Sequence, residues 1–124
     1  MIVAEAKGYN GWANYETWSV ALVVDNDEGT YNERRELVAR LAEEARADVP
    51  DWSTVEDHVR YRVADGLKDW VEEAMPDLTE PTPGYFEPAG GPLSYLWSQL
   101  LSAALSEVEW SELADAWIEE GASE

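Results

Sequence analysis

Asn14-Tyr15-Glu16-Thr17-Trp18-Ser19-Val20-Ala21-Leu22-Val23-Val24-Asp25 is the stretch that decides the fold. Asn14 is a good helix N-cap, because its side-chain carbonyl can accept a first-turn N–H that has no partner inside the helix. Glu16 then sits at the positive end of the helix dipole. Tyr15, Trp18 and Leu22 recur at i, i+3, i+7, one helical stripe. Val20, Val23 and Val24 add apolar residues on the other faces. A helix apolar nearly all round is usually buried on several sides. The stretch therefore predicts the central helix of an all-α domain, with Trp18 in its core.

Outward from this helix, Asp25-Asn26-Asp27-Glu28-Gly29 reads as a turn. Thr30-Tyr31-Asn32-Glu33 is a capping box that opens a second helix. Leu37, Val38, Leu41, Ala42 and Ala45 form the core face of that helix, and Glu36, Arg40 and Glu44 form an outer lattice of i,i+4 charges. Ser53-Thr54-Val55-Glu56 is a second capping box. The third helix carries Val55, Val59, Val63, Leu67, Trp70, Val71 and Ala74 on one stripe, and Pro76 ends it. Residues 76–92 hold five of the six prolines and predict a long Pro/Gly-rich loop, pinned by Tyr85 and Phe86. A loop that long in so short a chain is also a candidate functional segment.

Pro92 suits the first turn of a fourth helix. Leu93, Leu96, Trp97, Leu100, Leu101, Ala103, Ala104 and Leu105 make it apolar on most faces, so it should be central or at an interface. A fifth helix packs Trp110, Leu113, Ala114, Trp117 and Ile118, with Gly121 as its stop. Residues 1–13 read as an extended or irregular arm, in which Ile2-Val3 is either a short edge strand or flexible. The expectation is one domain over 1–124, with four or five helices, the first and fourth at the centre.

Composition narrows the function. The chain has no cysteine, which excludes disulfides and thiolate metal sites. It has no apolar run long enough to span a membrane and no signal-peptide layout at Met1–Gly8, so a soluble cytoplasmic protein is expected. Its 124 residues carry 27 acids and eight bases, a formal net charge of -19. All eight bases lie in the first 68 positions; residues 69–124 hold 13 acids and no base. Such charge repels nucleic acid and anionic membranes and attracts basic surfaces.

Asn14-Tyr15-Glu16-Thr17-Trp18, followed by Asn26-Asp27-Glu28, resembles the "NYETW…NDE" signature of small acidic proteins of unknown function carried by phages, plasmids and actinobacterial or haloarchaeal genomes. The block Leu101-Ser102-Ala103-Ala104-Leu105-Ser106-Glu107-Val108-Glu109-Trp110 is similar to the same family. The resemblance implies a small protein of a mobile element and brings no catalytic residues with it. Where the family often has Asn or Asp, this chain has Glu109, a weaker cap.

Candidate chemistry is sparse. An EF-hand loop starting at Asp25 would need Gly at its sixth position, but Gly29 is fifth and Thr30 sixth, so the calcium register fails. His58 is the only histidine and lies off the apolar stripe of its helix, which reads as a surface residue; zinc would need more ligands. The pairs Glu43-Glu44, Glu72-Glu73 and Glu119-Glu120 fall on polar helix faces, unlike the buried carboxylates of hydrolases. Neither a phosphate loop, a dinucleotide fingerprint nor a serine-nucleophile motif is present. The expectation is a non-enzymatic protein without cofactor or metal.

What remains is the acidic surface. Carboxylates three or four residues apart on a helix lie roughly 5–6 Å from one another. Rows of them form a rigid negative array, as DNA phosphates do. Asp69, Glu72, Glu73, Asp77, Glu80, Glu87, Glu112, Asp115, Glu119 and Glu120 are the expected partner-binding side chains. The leading reading is a DNA mimic, of the anti-restriction or anti-CRISPR type, that inhibits a basic nucleic-acid-binding host protein. The alternatives are a salt-adapted acidic helical protein, or an interaction module docking through Trp12, Trp97 or Trp110.

Overall fold

A computed structural model describes residues 8–81, 84 and 88–122, and among the described residues there are five α-helices. They are α1 (Tyr15–Asn26), α2 (Glu28–Ala47), α3 (Val55–Ala74), α4 (Ser94–Ser106) and α5 (Trp110–Ala122), with a 3-10 turn at Gly91–Leu93 before α4. The chain is all-α, as its periodicity predicts, and no β-strand occurs among the described residues. None of the described helices is long and apolar enough to cross a membrane. Ile2-Val3, Tyr85, Phe86 and Glu87 lie outside the described residues.

Side-chain caps set the helix starts. Asn14 accepts from the Thr17 amide at 2.9 Å and opens α1. Asp27 alone separates α1 from α2; its carboxylate accepts from the Thr30 amide at 2.9 Å. The expected cap at Thr30 is thus displaced three residues upstream, because a carboxylate there meets the free N–H groups of α2 directly. α3 is likewise capped one residue later than its box suggests, by Thr54 accepting from the Asp57 amide.

α2 and α3 form an antiparallel hairpin. Leu41 lies against Gly66, where a Cβ would collide with the leucine, and Glu44 approaches Arg62 at 4.0 Å. Val38, Ala42 and Ala45 of α2 meet Val59, Val63 and Leu67 of α3 in the core. α5 packs on both helices and buries Leu113, Ala114 and Trp117. Full burial of one such leucine contributes about 1.5–3 kcal/mol.

α1 joins at the side, against α2 and α5, through Thr17, Ala21 and Val24. This stripe (i, i+4, i+7) is not the expected one. Tyr15, Leu22 and Val23 are exposed, and Trp18 is only half-buried. The expectation of a central α1 is therefore corrected. An all-round apolar helix gives no unique inward face, and the small, bonded Thr17 seals the interface better than a ring would.

α4 is not central either. Its only buried residue is Ser94, and it reaches the core mainly through Leu105 and the following Val108. The two ends of the 76–92 loop pair with each other: Ala89 N donates to Glu80 O at 3.0 Å and Gly90 N to Leu78 O at 2.9 Å. A Cβ on Gly90 would come within 3.0–3.1 Å of Leu78 and Ser94, so this closure favours a glycine.

Candidate interaction surface

The stretches 14–18 and 101–112 meet in space. Asn14 Nδ2 donates to Glu107 O at 2.6 Å, and Glu109 N donates to Thr17 Oγ1 at 2.9 Å. The Thr17 hydroxyl itself donates to Asn14 Oδ1 at 2.6 Å, and Ala13 N donates to Glu112 Oε1 at 2.9 Å. Thr17 is fully buried, so its bonds replace water that cannot reach it. On the outer side, Tyr9, Tyr15 and Trp18 form an aromatic triangle with centroids 4.9–5.6 Å apart. Tyr9 is delivered there by a tight Tyr9–Trp12 turn with positive φ at Asn10 and Gly11, as an Asn-Gly turn prefers. The motif is thus a clasp between α1 and the α4–α5 connection.

A second polar cluster has no local signature in the sequence. Arg34 of α2 is buried, between Asp25 Oδ1 at 2.7 Å and Glu120 Oε2 at 2.9 Å. Its guanidinium lies over Tyr31 at 4.9 Å and Trp117 at 4.5 Å. Trp117 Nε1 donates to Asp25 Oδ2 at 3.2 Å and Tyr31 Oη to Glu120 Oε1 at 3.0 Å. Delocalised charge and a planar fork let arginine serve two carboxylates and two ring faces at once. The cluster joins α1, α2 and α5 and closes one end of a cleft of about 460 Å³ between α2 and α5.

These contacts sort the ten expected partner-binding acids. Glu112, Asp115 and Glu120 are engaged within the fold: Glu112 holds Ala13, Asp115 accepts from Arg60 Nε at 2.6 Å, and Glu120 holds Arg34 and Tyr31. The bond to Asp115 raises the already high pKa of Arg60. Glu119 is exposed, and Glu87 lies outside the described residues. Asp69, Glu72 and Glu73 are exposed along the last turns of α3, and Asp77 and Glu80 continue the run into the following turn. The Thr79 hydroxyl, at 2.6 Å, and then the Thr79 amide, at 3.0 Å, hold Asp77 below the ordinary carboxylate range. The acids that face solvent in succession form one stretch from 69 to 80, and not a sheet of charge spread over α3 and α5.

The other candidates also find their places. Asp25 and Asp27, expected within a turn, serve Arg34 and the α2 cap instead. No group of three or more metal-ligating side chains occurs among the described residues. His58 is half-buried and not a surface residue; its Nε2 is buried and has no hydrogen-bond partner among the described residues. Of the three tryptophans expected to dock a partner, Trp12 and Trp110 pack against the core, and only Trp97 is exposed.

Fold and surface together define a small acidic all-α protein whose Arg34 cluster is structural and whose exposed acids from Asp69 to Glu80 run along the end of α3 and into the following turn. The chain belongs to the DUF7249 family, a family of unknown function whose model matches residues 5–79. The matched stretch takes in α1, α2 and α3 and the Asn14–Trp18 motif. No curated protein and no solved structure matches the chain.

Proposed function

We propose that the protein is a non-enzymatic DNA mimic that occupies the basic groove of a nucleic-acid-binding host protein, in the manner of an anti-restriction or anti-CRISPR factor of a mobile element. The observation that carries this reading is the exposed run Asp69, Glu72, Glu73, Asp77 and Glu80, in a half of the chain without a base. Asp69, Glu72 and Glu73 are i, i+3, i+4 neighbours on rigid α3, and Asp77 is held in place by Thr79. A groove built for phosphates meets a similar row of fixed negative charge. Glu112, Asp115 and Glu120, bonded inside the fold, are less suited to this role.

The test is competition between the protein and duplex DNA for a partner captured from host lysate. DNA and protein should displace each other, and binding should fall as salt rises, since screening lengths shorten from about 8 Å at 0.15 M to 3 Å at 1 M. Glu72→Lys with Glu73→Lys should abolish capture and leave the helices folded. Absence of competition, together with a fold that gains stability in molar salt, would assign the acidity to salt adaptation.

A further inference from the structure

α4 is apolar on two faces and uses only one of them. Ser94, Ser98, Leu101 and Leu105 turn inward, at i, i+4, i+7, i+11. Leu93, Leu96, Trp97 and Leu100, at i, i+3, i+4, i+7, turn outward and are 55%, 44%, 46% and 53% exposed. Tyr95, 72% exposed, lies on another face of the helix. Four large side chains at about half exposure present on the order of 100 Å² each, about half of the roughly 800 Å² per partner that a stable interface buries. Isolated surface leucines need no explanation, but a continuous stripe of this kind does.

Charge identifies what covers the stripe. In a chain of net charge -19, α4 is the only described helix without a charged residue over all its 13 positions. A second copy is repelled by every other helix surface and least by this one. The two ends of α4 are also complementary to each other. Its N-terminus has no side-chain cap and no acid in the first turn, while Glu107 and Glu109 follow its C-terminus. A two-fold axis across the helix brings each copy's Glu107 and Glu109 toward the positive helix start of the other.

We propose that the protein forms a symmetric homodimer through the outward stripe of α4, with the two helices packed antiparallel. This is independent of the partner proposed above, because Asp69 to Glu80 lie outside α4.

Sedimentation equilibrium on the full chain tests it, in low salt and in about 0.5 M NaCl, where the screening length is a few ångströms. The expected result is a two-copy mass whose dissociation constant falls at least tenfold with added salt, as repulsion between the acidic bodies is screened. Leu100→Glu and Trp97→Gln, both at exposed positions, should each return the mass to one copy with the wild-type helical circular dichroism. Glu107→Lys should weaken the dimer even though it lowers the net charge, because it sets a cation against the partner's helix start. A one-copy mass at every salt and concentration would overturn the proposal, as would a dimer indifferent to Leu100→Glu and Trp97→Gln. Self-association that weakens with salt would overturn it, and a dimer strengthened by Glu107→Lys would overturn the antiparallel arrangement. Should Leu100→Glu unfold the chain, the salt dependence of the wild type and the mass of Trp97→Gln decide the matter.

Discussion

Thr17 and Glu109 stand 92 residues apart in the sequence and are joined by a 2.9 Å hydrogen bond from the Glu109 amide to Thr17 Oγ1. That hydroxyl also donates to Asn14 Oδ1, so one buried atom closes the cap of α1 and fixes the entry to α5. Thr17→Val keeps the shape and removes both bonds, leaving the Glu109 amide without its acceptor. The expected loss is about 1–3 kcal/mol, read by urea unfolding, with Thr17→Ser recovering most of it.

The two conspicuous tryptophans of α1 and α5 should differ. Trp117 is buried among α1, α2 and α5, so Trp117→Ala should cost about 3–5 kcal/mol. Trp18 is half-buried and packs on Tyr9 and Tyr15, so Trp18→Ala should lose little beyond ring contacts of roughly 0.5–1.5 kcal/mol. Chemical melts of the two variants side by side make the comparison. Equal losses would move Trp18 into the core.

Arg34→Ala should destabilise by about 2–3 kcal/mol, less than the 3–5 of a fully buried pair, because water reaches both carboxylates. Without the guanidinium, Asp25 and Glu120 face each other with no cation between them. Arg34→Lys should rescue little, since a point charge cannot form two forked contacts and lie across two rings. Thermal midpoints of the two variants should therefore fall close together.

Acid should loosen the α2 cap. The Thr30 hydroxyl, and then the Thr30 amide, hold Asp27 below its ordinary value of 3.8. A depressed carboxylate contributes stability that is present above the unfolded pKa and lost as pH falls through the folded one. Asp27→Ala should thus lower the thermal midpoint at pH 7, and the gap to wild type should narrow once the pH drops below 3.8. Asp27→Asn, which accepts the same bonds without titrating, should keep the midpoint closer to wild type throughout.

The legible parts of the fold are those where one physical signal stands alone. α2, α3 and α5 each combine an apolar stripe with charged positions, and Val38, Ala42, Val59, Val63, Leu67, Leu113 and Trp117 are buried as their spacing requires. α1 and α4 lack that contrast: Tyr15, Val23, Leu96 and Leu100 are apolar yet exposed, so composition alone points their faces the wrong way. Arg34 is illegible for another reason. A buried arginine depends on Asp25 and Glu120, and no local pattern announces partners supplied by two other helices. The same holds for the acids: spacing places Glu112, Asp115 and Glu120 on a polar face, but only the tertiary fold shows that each is already engaged.

The clasp between Asn14–Thr17 and Glu107–Glu112 also bears on the order in which the chain assembles. The α2–α3 hairpin closes over short separations, Leu41 on Gly66, and can nucleate early. The clasp must gather the two flanks of that hairpin across about ninety residues, at a chain-closure entropy that nothing local offsets. It should therefore form after the rate-limiting barrier. Weakening it at Thr17 would leave the refolding rate almost unchanged and shorten the lifetime of the folded molecule. The motif that marks this sequence then acts as a kinetic latch, governing how long the native state lasts and not how quickly it is reached.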